Sequence, residues 1–222
     1  MPGDKALLYP AFIKLKDRQC LVVGGGKVAA RKVQMLLECG ARVRVVSPKA
    51  AEELAARAAA GEIEWVKRGF QEGDTAGAFL VVGATDEREL NACVAQECTK
   101  RGILLNVVDK PEFCSFYVPS VLRRGELTVA VSTGGKSPLL ARRLRERLEE
   151  LFPLAFGEFL DYLGTVREEV ITRHPGMKEK LLEEMVSPEV LACLEKNEID
   201  RAKELVEGVL NRYRPQPPDG TG

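Results

Sequence analysis

The sequence predicts an α/β fold: a Rossmann-type parallel sheet domain, followed by a small α+β segment and a C-terminal helical domain. Three observations predict it. Between residues 20 and about 112, short β-branched runs alternate with longer helical ones, the pattern of a parallel sheet covered by helices. The stretch CLVVGGGKVAARK, Cys20 to Lys32, joins an apolar strand to three glycines and then to a helix. After Pro111 the alternation stops, and a pair of strands followed by helical patterning takes its place.

Taken in order, strands are expected at 20–23 (CLVV), 42–46 (RVRVV), 63–66 (IEWV), 78–82 (AFLVV) and 103–108 (ILLNVV). Helices are expected between them at 27–39, 49–60 and 87–101. The last opens with TDERELN, where Asp86 is expected to cap the helix and Glu89 to complete a capping box. Further on, FYVPSVLRRGELTVAVST reads as two strands around an RRGE turn. A helix then runs from Pro138 to Phe152, with Ser137 as its cap and Pro138 in the first turn. It places Leu140, Leu144, Leu148 and Leu151 on one stripe, with Arg142, Arg143, Arg145 and Arg147 around it. Two strands and one helix cannot bury both their faces, so this piece is expected to dock on the main domain or on another subunit. Pro153 to Tyr213 is helical in pattern, with a cap at Ser187-Pro188-Glu189, and the tail RPQPPDGTG is expected to be disordered. The expected divisions are therefore 1–112, 113–152, 153–213 and 214–222.

Composition excludes several classes of function. Lys+Arg and Asp+Glu both number 33, so no overall charge points to nucleic acid or to a membrane surface. The apolar runs fall far short of the roughly 20 residues needed to span a bilayer. The start, MPGDKALLYPAF, lacks the apolar centre and cleavage site of a signal peptide, so a cytoplasmic protein is expected. Six cysteines are scattered without a C-x-x-C pair. Cys93 and Cys98 would lie about 140° apart on a helix, so buried, reduced thiols are expected and no metal site. The single histidine, His174, precedes a proline in a polar stretch, which excludes any histidine triad.

An open parallel sheet binds ligands outside the carboxyl ends of its strands. At the first of these ends, Gly24, Gly26 and Ala29 supply G-x-G-x-x-A between a strand and a helix. Gly24 permits the turn, Gly26 removes the side chain that would block a pyrophosphate, and Ala29 lets the helix lie close. This points to a dinucleotide. At the end of the second strand, where a ribose-binding acid usually sits, the chain has Ser47, Pro48 and Lys49. Ser47 can hydrogen-bond a ribose hydroxyl, and these residues alone do not separate NAD from NADP. Ala84 and Thr85, after the fourth strand, would let a nicotinamide ribose approach the backbone. Asp109 ends the fifth strand before Lys110-Pro111, as a catalytic group or as a turn former.

From 123 to 147, seven basic residues stand against two acidic ones, a local balance suited to an anionic ligand. The adjoining STGGKSP adds small residues before a helix N-terminus, a second anion cradle. Ser132, Thr133, Lys136, Arg142 and Arg143 are the substrate-binding candidates here.

The stretches LVVGGGKVAARK, VVGATD, NVVDKPEFCSFYVPS and VAVSTGGKSPLLARRLRERLE resemble those of the precorrin-2 dehydrogenases, including the dehydrogenase and chelatase module of sirohaem synthases. The likeness runs from about Tyr9 to Phe152. It implies NAD-dependent oxidation of precorrin-2 to sirohydrochlorin, with ferrous insertion in some members. It also implies a homodimer in which FYVPS…LARR is the dimerisation segment. NAD contacts carry over onto Lys27, Val28, Ser47, Pro48 and the Ala84–Thr85 turn, and the functionally important aspartate onto Asp109. A serine that some members phosphorylate falls on Thr133. The chain lacks the long methyltransferase domain of fused members, so it is expected to take precorrin-2 made by another enzyme. The substrate bears many carboxylates, which suits the local arginine excess.

Two other functions remain as alternatives: a NAD(H)-sensing regulatory dimer without chemistry, which fits the glycine turn and a dimerising segment equally well, and an enzyme with chelatase activity only. A sensor has no need of the basic cradle, and a chelatase has no need of NAD.

Overall fold

The computed structural model describes residues 7–213; the tail 214–222 lies outside the described residues. The chain forms two compact units, 1–118 and 119–222.

In the first unit, five parallel strands make one sheet: β1 (Gln19–Val23), β2 (Arg42–Val46), β3 (Glu64–Val66), β4 (Leu80–Gly83) and β5 (Leu104–Val107), in the spatial order β3-β2-β1-β4-β5. Three helices cover it: α1 (Lys27–Glu38), α2 (Glu52–Ala59) and α3 (Arg88–Arg101). The apolar runs of the sequence are continuous because the sheet is buried on both faces. Cys20 and Val22 face Ala29 and Val33 of α1, while Leu21, Val23 and Val81 face Val94 and Cys98 of α3 on the other side. The chain builds outward from β1 to β3, then returns to place β4 on the opposite side of β1. That reversal opens a crevice at the carboxyl ends of β1 and β4.

Two helix starts differ from expectation. α2 begins at Glu52, not 49, because 48–51 form a loop packed against the glycine turn, where Ala51 N–H donates to the Gly25 carbonyl at 2.7 Å. α3 begins at Arg88 with Glu87 at its N-cap and no side-chain cap, so the Asp86–Glu89 capping box does not form. Thr85 takes over: its hydroxyl accepts from Glu87 N–H at 3.2 Å. Asp86 is thereby left exposed at the crevice edge.

Residues 113–118 remain with the first unit. Ser115 N–H donates to the Leu105 carbonyl and Leu105 N–H to the Ser115 hydroxyl, both at 2.8 Å, covering the open edge of β5. The unit boundary thus falls at 118/119, six residues after the 112/113 division that the strand pattern suggested.

The second unit opens with the hairpin β6 (Ser120–Arg124) and β7 (Leu127–Val131), followed by α4 (Pro138–Leu151), α5 (Ala155–Arg173), α6 (Lys178–Met185), α7 (Pro188–Glu195) and α8 (Ile199–Tyr213). Ser137 and Ser187 cap α4 and α7 as expected, accepting from Leu140 N–H at 3.2 Å and Val190 N–H at 3.4 Å. Phe159, Val170, Leu181, Met185, Leu194 and Val206 form the helical core. α5 lies directly on the hairpin, since a Cβ on Gly157 would stand 2.7 Å from the Arg124 carbonyl carbon. The strand pair and the C-terminal helices, divided at 152/153 on sequence pattern, therefore share one unit.

Candidate functional site

The crevice is a cleft of about 650 Å³ at the carboxyl ends of β1, β2 and β4, within the usual size range of small-molecule sites. Of the residues expected from sequence, Gly24, Gly26, Lys27, Ser47, Pro48, Ala84 and Thr85 line it together. Val28 and Asp109 do not belong to its lining.

The three glycines divide the work. Gly24 has φ +121°, and a Cβ there would fall 2.3 Å from the Ala84 carbonyl oxygen, so the loop is pressed against the turn after β4. A Cβ on Gly25 would fall 2.0 Å from the Lys49 carbonyl oxygen and 2.7 Å from the Ser47 hydroxyl. Gly25, to which the motif assigns no role, thus locks the loop to the end of β2. Gly26 differs, because a Cβ there would meet nothing within 4 Å. It is also the N-cap of α1, with no side-chain cap and no acidic residue in the first turn. Open space beside uncapped helix N–H groups fits the pyrophosphate of a dinucleotide, and Gly24–Lys27 would hold it.

Ser47 is only 7% exposed, and its hydroxyl donates to the Lys49 carbonyl at 2.6 Å. Its own carbonyl accepts from the Trp65 indole N–H at 2.9 Å. The hydroxyl proton is therefore committed within the loop, leaving its oxygen to accept from a ribose.

Sequence reasoning missed one wall of the cleft, Gly69 and Phe70 in the loop after β3. Arg68 grips Asp74 through two bonds of 2.8 and 2.7 Å, and Asp74 also accepts from Gln71 N–H at 2.8 Å. The Arg68 guanidinium is the main reason the Asp74 carboxyl is held below the usual carboxylate range. Buried Glu97 of α3 accepts from the Thr75 hydroxyl at 2.6 Å and from Gly73 N–H at 3.1 Å. The available signal was position: GFQEGD follows a strand at the same sheet edge as the glycine loop.

Asp109 is exposed in a turn after β5, with φ +58°, a left-handed conformation that Asp tolerates better than most residues. The turn is well tied. Val108 N–H donates to the Gly83 carbonyl at 2.9 Å, and the Cys114 thiol contacts the Val107 and Lys110 carbonyls, each at 3.3 Å. On α1, half-buried Lys32 has its pKa pushed down by burial and by Arg31, an effect opposed by the charges of Asp109 and Cys114. Asp109 thus shares its surroundings with a cation. Burial pushes the thiols of Cys20 and Cys98 up to about 11, in keeping with inert core cysteines.

In the second unit, Thr133 is folded into its own loop: its hydroxyl donates to the Ser137 carbonyl and accepts from Ser137 N–H, both at 3.1 Å. Ser132 accepts from Gly134 N–H at 3.2 Å. Lys136 is exposed beside them. The arginine excess is smaller than the count suggests. Arg142 and Arg143 both pair with Glu146, Arg145 pairs with Glu149, and Arg124 donates to the Phe152 carbonyl at 2.7 Å at the end of α4.

Comparisons with known proteins follow the same division. A family model for NAD(P)-binding proteins matches residues 11–120, and one for the sirohaem biosynthesis protein central segment matches residues 124–151. The siroheme synthase of Thioalkalivibrio sulfidiphilus is 44% identical over 204 residues, covering 91% of this chain and 42% of its own length. Siroheme synthase 1 of Aeromonas salmonicida is 47% identical over 171 residues, covering 77% of this chain and 36% of its own. The chain therefore spans about two fifths of the length of these relatives. Among solved structures, SirC, a precorrin-2 dehydrogenase, superimposes with a TM-score of 0.76 at 26% identity, over 92% of this chain and 100% of that one.

Proposed function

The chain belongs to the sirohaem-biosynthesis family that these models and relatives define, and from that premise we propose that it oxidises precorrin-2 to sirohydrochlorin with NAD. The observation that carries the proposal is the open space at Gly26 beside the uncapped N-terminus of α1. A cleft with that cradle accepts a dinucleotide.

The oxidation removes two electrons and two hydrogens from the macrocycle, one as hydride and one as a proton. Bound NAD supplies the hydride acceptor. The chain must hold the macrocycle in register and accept the proton, and Asp109 is the group assigned to that proton. Its turn is fixed to the end of β4 through the Val108–Gly83 bond, which gives the carboxylate a defined position relative to the Ala84–Thr85 wall. Lys32 of α1 lies close enough to interact with Asp109 and supplies positive charge on that side of the turn. Ser132, Thr133, Lys136, Arg142 and Arg143 are assigned to the carboxylates of the tetrapyrrole. Arginine offers a planar fork of donors for such groups, in exchange for its present pairing with Glu146.

The active form is proposed to be a homodimer, because Leu139, Leu140, Leu144 and Leu151 of α4 are 64%, 51%, 40% and 56% exposed on the single chain. A cytoplasmic setting is proposed from six free cysteines. Among the described residues no helix is long and apolar enough to cross a membrane.

The test is the near-ultraviolet absorbance of NADH on mixing protein, NAD and precorrin-2. Absorbance that grows with sirohydrochlorin supports the proposal. Tight NAD binding with flat absorbance would instead make the protein a nucleotide sensor.

A further inference from the structure

Asn91 lies in the first turn of α3 and is fully buried, at 0% exposure. Its Nδ2 donates to the Thr85 carbonyl at 2.9 Å. Its Oδ1 is buried without a hydrogen-bond partner among the described residues. An apolar side chain at this position would avoid that unpaired oxygen, so packing alone does not account for an asparagine.

What the amide does is fix a turn. The Ala84–Thr85 wall receives no help from a helix cap, since α3 has none. It is held by the Thr85 hydroxyl accepting from Glu87 N–H and by Asn91 gripping the Thr85 carbonyl. One residue earlier, the Ala84 carbonyl oxygen stands 2.3 Å from where a Gly24 Cβ would be, so wall and glycine loop meet with no slack. Room for the asparagine comes from Gly83, whose Cβ would lie 3.0 Å from Asn91 Oδ1.

We propose that Asn91 is a positioning residue for nucleotide binding: by holding the Thr85 carbonyl it seats the Ala84–Thr85 wall against the glycine loop at the distance a pyridine nucleotide needs. The inference rests on the NAD-binding function proposed above. Gly83 and Asn91 are packed against each other, so a side chain added at Gly83 presses on the asparagine.

The experiment is calorimetric titration of the full chain with NAD, for the native protein, Asn91→Leu, Gly83→Ala and the double variant. Asn91→Leu keeps the branched shape of the side chain, removes the unpaired oxygen and deletes the donor. Its NAD dissociation constant is expected to rise about tenfold, the order of one lost hydrogen bond, with little change in melting temperature. Amide exchange in residues 84–87 should accelerate. The KM for NAD should rise while that for the tetrapyrrole stays constant. Gly83→Ala, which presses on Oδ1, should weaken NAD in the same direction, and the double variant, in which the added methyl meets the leucine where Oδ1 stood, should be no tighter than either single variant. A merely structural asparagine would lower the melting temperature and leave the dissociation constant within about twofold of native, which overturns the proposal. Should Asn91→Leu fail to fold, Gly83→Ala decides on the same criterion. Native protein that does not bind NAD sinks the function itself, whereas native binding with unchanged variants sinks only the role of Asn91.

Discussion

Asp109 combines a left-handed backbone with an exposed carboxylate, and the two properties can be separated by substitution. Asparagine tolerates φ +58° about as well as aspartate, so Asp109→Asn keeps the turn while removing the proton acceptor. Turnover should fall by about 10²–10⁴-fold, the usual range for general-base help, with NAD affinity unchanged by calorimetry; unaltered turnover would remove Asp109 from the chemistry. Lys32 makes the companion case. Its folded-state pKa lies below the unfolded value, so folding penalises its charged form, and the penalty is complete below the folded pKa. The penalty disappears as pH rises through the window toward the ordinary lysine value. Lys32→Met should therefore raise the melting temperature at neutral pH, with the gain shrinking as pH approaches about 10. A melting temperature lowered at pH 7 would show that Lys32 is held by its partners more than it is penalised by burial. Asp109 stands out in the sequence as a candidate because it follows an apolar strand and precedes Lys-Pro. Lys32 does not, since its proximity to Asp109 depends on α1 lying beside a turn that is 77 residues away in the chain.

At the scale of elements, the glycine turn separates what a motif can tell from what packing adds. G-x-G-x-x-A named Gly24 and Gly26 through their local geometry, which a strand-turn-helix pattern fixes without reference to the rest of the chain. Gly25 escaped it because its constraint is a contact with the Lys49 carbonyl, supplied by the next strand's loop. The capping box expected at Asp86 also depends on more than spacing: Glu87 is extended and takes the N-cap position, and its N–H donates to the Thr85 hydroxyl instead. The two central glycines accordingly predict opposite phenotypes. Gly26→Ala adds a methyl into open space at φ −81°, a conformation alanine accepts, so the melting temperature should stay near native while NAD binding is lost or strongly weakened. Gly25→Ala drives a methyl to 2.0 Å from backbone, and it should unfold or markedly destabilise the unit before any question of ligand arises. Thermal melting followed by NAD titration of both variants checks this. If Gly26→Ala binds NAD normally, the phosphates do not lie over Gly26.

For the whole molecule, the first unit completes the nucleotide cleft by itself, since every lining residue falls between Val23 and Leu90. The second unit is different in kind. Its helical core is closed, yet α4 leaves Leu140, Leu144 and Leu151 of the stripe read from sequence spacing exposed, while Leu148 is half-buried and Leu139, outside that stripe, is exposed beside it. The sequence could not show how many of the surrounding arginines are paired, because a charge count ignores the i, i+3 and i, i+4 geometry that brings Glu146 and Glu149 to them. If the stripe is the seam of a homodimer, charge placed on it should separate assembly from nucleotide binding. Leu140→Asp with Leu144→Asp puts two carboxylates from each copy into an apolar contact, which disfavours association without touching the helical core. Sedimentation equilibrium should give a dimer for the native chain and a monomer for the variant. The variant should bind NAD with native affinity, because the cleft needs only the first unit, and it should lose turnover if the active form is the dimer. A native chain that sediments as a monomer at micromolar concentration would end the dimer proposal, and a monomeric variant with full turnover would detach catalysis from assembly.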